Sequence, residues 1–304
     1  MTCVWTRHAH CASAACTSVA NACAWAFGRP ALGRTQRSGH RYCCSTALAP
    51  RWNSLHRCCS ELDDREAIIF DVPGAGASPA PSWPCRPWQL ARLARHVLDA
   101  LGYGVVDVFG VSWGGGLAQQ FAAQYPRRCR RLVLAATSMG GIMVPGKPSV
   151  LWQMISPRRY WDKDRLRRIA PQIYGGDLRH NHEALHGHAQ AMRGGAGYGY
   201  VLQLLAMMGW SSLPLLWRIR QPTLVLAGSD DPRLPLVNAR WLTRLLRHGR
   251  LEVIDCGHLF LVTRAAQTAR LIDEFYPRSA KCSSQRARFG QPLASRLGDP
   301  RTPE

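Results

Sequence analysis

Residues Gly110-Val-Ser-Trp-Gly-Gly-Gly116 decide how this chain folds. The run ahead of them, Val105-Val-Asp-Val-Phe-Gly-Val111, is short, apolar and rich in β-branched side chains, which predicts a strand. Behind them, residues 114–125 set Leu117, Ala118, Phe121, Ala122 and Tyr125 at helical spacing. Gly110-x-Ser112-x-Gly114 therefore falls where a strand turns sharply into a helix. Such a turn strains the serine backbone and exposes its hydroxyl, while the flanking glycines let strand and helix cross without side-chain clashes. The helix start also aims backbone N–H groups at whatever the serine oxygen attacks. A Gly-x-Ser-x-Gly can arise by chance in any glycine-bearing loop, but a strand before it and a helix after it argue against chance. Ser112 is the candidate nucleophile.

The same alternation extends to both sides. Ala67-Ile-Ile-Phe-Asp71 reads as a buried strand, followed by the loop Val72-Pro-Gly-Ala-Gly-Ala-Ser78. Residues 87–101 place Leu90, Leu93, Ala94, Val97, Leu98 and Leu101 three and four apart, an amphipathic helix. Arg131-Leu-Val-Leu-Ala-Ala136 is another strand. Beyond Pro222 the expected elements are a strand at 223–228, a helix at 241–246, a strand at 251–255 and a helix at 263–275. Strands alternating with helices make a mostly parallel sheet covered on both faces, an α/β fold.

About residues 138–218 break this pattern. Residues 140–148 read as loop, and 151–160, 166–173 and 200–208 as short helices. The insertion is rich in Trp, Met, Leu and Gly and is expected to form a helical cap over the elbow. Trp152, Met154, Trp210 and Trp217 are available there to line an apolar substrate cleft, or else to pack the cap onto the body. His180, His182, His186 and His188 lie in the same insertion. Sparse carboxylates and poor helical periodicity favour an exposed polar face over a metal site. Neither metal nor cofactor is expected.

The 304 residues hold one large α/β domain with an insertion, or two small domains. The net charge of +20 is unevenly spread. Residues 1–60 carry seven Arg, no Lys and no acid; residues 278–304 carry six basic and two acidic residues; residues 61–277 carry 26 basic and 17 acidic. No aromatic-and-basic module accompanies this charge, so it does not read as a nucleic-acid footprint. No apolar run reaches the ~18 residues that span a bilayer. The opening residues also lack the charged-then-apolar order of a secretory signal, so a cytoplasmic location is expected.

The first 61 residues stand apart. Eight of the twelve cysteines fall there: Cys3, Cys11, Cys16, Cys23, Cys43, Cys44, Cys58 and Cys59. A disulfide framework would need a secretory signal, and the adjacent pairs lack the C-x₂-C spacing of a zinc site. No Ile occurs before Ile68, and no helical or strand period persists. Disordered segments are usually poor in Cys and Trp, the reverse of this one. The abrupt change near Leu62 reads as a shift of reading frame. Residues 1–61 are thus expected to be irregular and to add no strand, leaving the sheet without its early strands. The domain is expected over 62–277, with a disordered basic tail over 278–304.

A serine hydroxyl needs a base to take its proton, and that base needs orienting. Asp231 is the fourth residue of Gly228-x-x-Asp after one strand, and His258 follows the last strand in Gly257-His258. Ser112, Asp231 and His258 therefore all leave the carboxyl ends of strands, the edge at which α/β sheets carry their sites. His258 would accept the Ser112 proton, and Asp231 would hold the imidazole. Asp230 is the rival for the second role, whereas Asp255 is too close to His258 in sequence to reach around its ring. The order Ser, Asp, His is that of the α/β hydrolases.

The elbow with Leu117-Ala-Gln-Gln-Phe121, then Met143-Val-Pro-Gly-Lys-Pro148, Ser156-Pro-Arg-Arg-Tyr160, Ile173-Tyr-Gly-Gly176 and Gly257-His-Leu-Phe-Leu261, resembles the intracellular poly(3-hydroxyalkanoate) depolymerases, those acting on medium-chain-length polyester. The resemblance covers about residues 62–276 and includes the cap. It implies a triad of Ser112, Asp231 and His258 that cleaves esters between 3-hydroxyacyl units at the surface of cytoplasmic granules. Family members also carry an Asn-Gly-Ile-Gly loop, the source of a second oxyanion donor, which residues 1–61 lack. The backbone N–H of Trp113 remains as one donor. A soluble carboxylesterase or lactonase of the same fold, and a non-catalytic remnant, are the rival readings.

Overall fold

The computed structural model describes residues 4–7, 41–46, 66–75, 78–155, 162–181, 183–186 and 198–276, and within them seven strands form one sheet. They are β1 (Val4–Arg7), β2 (Arg41–Thr46), β3 (Glu66–Asp71), β4 (Val106–Val111), β5 (Cys129–Ala135), β6 (Thr223–Gly228) and β7 (Gly249–Ile254). Among the described helices are α1 (Pro87–Ala100), α2 (Trp113–Gln124), α3 (Pro148–Ile155), α4 (Lys163–Tyr174), α5 (Tyr198–Met207), α6 (Leu236–Leu245), α7 (Phe260–Thr263) and α8 (Ala265–Phe275). Across the sheet the order is β1-β3-β2-β4-β5-β6-β7, parallel throughout except for β1 against β3.

The apolar runs explain the layering. Along β5, Leu132 and Leu134 join a core with α1, α2 and α6, while Val133 and Ala135 join a second core with α7 and α8. A strand buried on both faces has no place for alternating polar residues, hence the continuous apolar runs read in the sequence. The α/β fold with a mostly parallel sheet flanked by helices is therefore the one the sequence predicts.

The early strands correct that reading. Residues 1–61 do contribute to the sheet: β2 lies between β3 and β4, parallel to both, and β1 pairs antiparallel with β3. Ladder hydrogen bonds join backbone to backbone, and the crossover from β3 through α1 to β4 skips one position in the sheet. A short extended segment such as Arg41-Tyr-Cys-Cys-Ser-Thr46 fills that position whatever hydrophobic period surrounds it. The rest of residues 1–61, the stretch 156–160, His182, His188 and the tail 278–304 lie outside the described residues.

Residues 138–218 leave the body after β5 and return to it before β6. At the base, Gly140 bridges Ser211, and the N–H groups of Gly141 and Ser212 donate to Trp210 and Met139 at 2.7 and 2.9 Å. Buried Gln119 on α2 ties both ends down, donating to Ser138 C=O and accepting from the Ser212 hydroxyl at 2.6 Å. The insertion has its own small core of Val150, Leu166, Ile173, Leu178 and Tyr200.

Candidate active site

β4 delivers Ser112 in a strained conformation, with φ +53° and ψ −120°. This left-handed backbone is unfavourable for a residue with a Cβ and persists because neighbours hold it. Ser112 N–H donates to Ala135 C=O at 2.8 Å, and Ser112 C=O accepts from Gly115 N–H at 2.9 Å and from the Thr137 hydroxyl at 2.8 Å. Gly110 lets α2 cross close by, since a Cβ there would run into Ala118 Cβ and the Gly114 carbonyl.

Three residues separated in sequence meet at this elbow. His258 Nε2 lies 3.1 Å from Ser112 Oγ, and His258 Nδ1 lies 2.6 Å from Asp231 Oδ2. The other Asp231 oxygen accepts from the backbone N–H groups of Arg233 and Leu234 at 2.9 and 3.1 Å. Asp231 and His258 are almost wholly buried. Burial opposes the charge on Asp231, yet the facing His258 ring and the Leu234 N–H hold its carboxyl below the ordinary carboxylate range. Burial also dominates at His258 and depresses its pKa, against the pull of Asp231. At neutral pH the pair is a carboxylate beside a neutral imidazole. The Asp231 contact puts the ring proton on Nδ1, which leaves Nε2 free to accept from Ser112.

The rival carboxylates face elsewhere. Asp230 accepts from Gly176 N–H at 2.8 Å and from Arg179 at 3.0 Å, and Asp255 accepts from the Ser229 hydroxyl at 2.8 Å. Trp113 opens α2, so its N–H lies in the first turn, where the helix itself provides no acceptor. Its indole donates to Gln203 C=O on α5 at 3.1 Å, joining the elbow to the cap.

The cap aromatics divide. Trp210 packs against Gly116 and Gly140, and its indole donates to Gln120 at 2.9 Å. Met154 packs against the cap's own core, and its carbonyl accepts from the Tyr200 hydroxyl. Trp152 is 77 % exposed and Trp217 69 %. Thr137 and Tyr174 border the site as well, each through a backbone contact with Ser112 or His258. Thr137 carries no recognisable signal in the sequence, and Tyr174 lies in the Ile-Tyr-Gly-Gly stretch.

A serine elbow on a parallel sheet, met by a histidine and an aspartate at strand ends, is the architecture of the α/β hydrolases. A family model described as the α/β-hydrolase fold matches residues 48–193. The chain is 54 % identical over 212 residues to a poly(3-hydroxyalkanoate) depolymerase of Ectopseudomonas oleovorans, covering 70 % of this chain and 75 % of that one. The chain belongs to the α/β-hydrolase family, in the branch of the poly(3-hydroxyalkanoate) depolymerases, and is a carboxylic ester hydrolase. It is also 29 % identical over 220 residues to a pimeloyl-[acyl-carrier protein] methyl ester esterase of Aromatoleum aromaticum, covering 67 % of this chain and 84 % of that one. The solved enol-lactonase of Burkholderia xenovorans LB400 shares the fold, with a TM-score of 0.67 at 19 % identity over 78 % of this chain and 92 % of that one. Among the described residues, no helix is long and apolar enough to cross a membrane.

Proposed function

We propose that the chain cleaves poly(3-hydroxyalkanoate) storage polyester to 3-hydroxy acids through an acyl-enzyme on Ser112. The observation that carries this reading is the unbroken contact from Ser112 Oγ through His258 to Asp231. Ser112 Oγ attacks the ester carbonyl carbon as His258 Nε2 takes its proton. The oxygen of the tetrahedral intermediate takes the negative charge, facing the Trp113 N–H. Collapse expels the alkoxide, which leaves as an alcohol with the proton from His258. Water, deprotonated by the same nitrogen, then attacks the acyl-enzyme, and collapse releases the acid as His258 returns the proton to Ser112 Oγ. Asp231 stabilises the imidazolium at each step.

Burial of His258 has a kinetic consequence. Its pKa lies below the ordinary imidazole value of 6.5, so the neutral, competent ring persists into mildly acid solution. kcat/KM is expected to stay level through neutral pH and to fall on acidification, with a limb centred below 6.5. A limb above that value would assign the base to another group.

A polymeric substrate suits the cap. Trp152, Ile155, Val201, Met208 and Trp217 expose apolar surface on it, the kind of patch that meets an apolar surface rather than water. In this reading the whole seven-stranded sheet, with β1 and β2, belongs to the catalytic unit, which works in the cytoplasm at the granule surface. Of the three cap residues Trp152, Met154 and Trp210, only Trp152 is mostly exposed and open to a polymer chain, since Met154 and Trp210 are engaged in packing the cap. Residues 1–61, although they supply two strands, keep the composition of a shifted reading frame.

Release of 3-hydroxy acids from emulsified medium-chain-length polyester, set beside hydrolysis of a short p-nitrophenyl ester, tests the proposal. Trp152→Ser should lower the rate on polymer about tenfold and leave the short ester nearly unchanged, since little of its ring is buried in the fold. Turnover of the short ester alone would favour a soluble carboxylesterase or lactonase. Turnover of neither would favour a non-catalytic remnant.

A further inference from the structure

The turn that ends α4 touches both loops that bear the buried pair. Tyr174 C=O accepts the backbone N–H of His258 at 2.7 Å, and the two rings face each other with centroids 6.4 Å apart and planes inclined by 29°. Arg233, two residues beyond Asp231, sets its guanidinium 5.2 Å from the Tyr174 ring centroid. Gly176 holds φ +53°, and a Cβ there would collide with the Gly257 nitrogen, immediately before His258. Gly175 packs equally close, its missing Cβ pointing at the Asp230 carbonyl.

Two pins hold this turn. Asp230 takes the Gly176 N–H at 2.8 Å and the Arg179 guanidinium at 3.0 Å. On the other side Asp177 accepts both Nε and Nη2 of Arg264 at 2.8 and 2.9 Å. A cap segment is thus wedged between the Asp231 loop and the His258 loop and is fastened to the body at each end.

We infer that residues 174–177 are a positioning element for the reaction: the cap turn, latched by Asp177–Arg264 and Asp230–Arg179, sets the spacing of the His258 and Asp231 loops, so turnover depends on the cap being seated. This inference rests on the triad proposed above. All four latch side chains are partly open to solvent, between 21 % and 47 % exposed. Exposed ion pairs add little to stability, whereas a displacement of about 1 Å at the reacting groups can cost on the order of 10²-fold in rate. A latch of this kind should show in turnover and hardly at all in melting.

The test compares Asp177→Asn, Arg264→Gln and Arg264→Lys in the full chain on a short soluble p-nitrophenyl ester, which needs the triad but no polymer surface. Asp177→Asn and Arg264→Gln should each lower kcat about 10- to 100-fold and leave KM within about twofold. Their melting temperatures should move by no more than about 3 °C. The downfield proton signal of the His258–Asp231 hydrogen bond should broaden in both, and Arg264→Lys should recover part of the rate. Unchanged kcat in both variants overturns the inference, and so does a loss of rate that simply follows a loss of melting temperature. A Ser112→Ala control separates the two levels: if it is active, the triad and the latch both fall; if it is inactive while the latch variants keep full kcat, the latch alone falls.

Discussion

Ser112→Ala is expected to lower kcat on the order of 10⁶-fold, on polymer and short ester alike, with no loss of fold. Alanine keeps the Cβ, so the φ of +53° at the elbow and its backbone contacts with Ala135, Gly115 and Thr137 are retained. Only the hydroxyl 3.1 Å from His258 Nε2 is lost, and with it the covalent route. Residual rate should come from binding and the Trp113 N–H alone. The measurement is single-turnover release of p-nitrophenol, together with mass spectrometry after a fluorophosphonate, which should label Ser112 in the wild type and nothing in the variant. Near wild-type turnover by Ser112→Ala, or a label on another residue, would remove Ser112 as nucleophile.

Asp231→Asn should cost about 10⁴-fold in kcat, and Asp230→Asn far less. The difference lies in what each carboxylate faces. Asp231 accepts two backbone N–H groups on one oxygen, which forces an asparagine to turn its amide NH₂ toward His258. The ring must then accept at Nδ1 and keep its proton on Nε2, facing Ser112, where it cannot act as a base. Asp230 touches no group of the relay, and its partners are Gly176 and Arg179. Its neutralisation loosens the cap turn without altering the imidazole tautomer. Steady-state kinetics on the short ester checks both, and the reverse order would give Asp230 the orienting role.

Much of this molecule is legible in one dimension because its main signals are local. The elbow needs glycine two residues before and after a serine, between a β-branched run and a helical one, and β4 and α2 lie there with bounds close to those expected. The strand at 223–228 and the helix at 87–101 follow from apolar spacing alone, since burying one or both faces leaves a periodic trace. Even Asp231 and His258 could be nominated, because strand ends are visible and a parallel sheet gathers them on one edge.

What the sequence determined by itself, then, is the strand–elbow–helix unit, the parallel sheet and the strand ends at its carboxyl edge that carry Ser112, His258 and an aspartate. Tertiary structure decided the rest. The ladder places Arg41–Thr46 between β3 and β4, although no hydrophobic period marks those residues, because backbone pairing depends on an open edge and not on side-chain pattern. The choice of Asp231 over its neighbour Asp230 turns on which side of one loop meets the His258 ring. The same holds for Trp210, which packs against the body, and Trp152, which faces solvent, two tryptophans of one insertion that no spacing distinguishes. Each of these outcomes depends on contacts between segments tens of residues apart, and a linear pattern carries no record of which distant surfaces will meet.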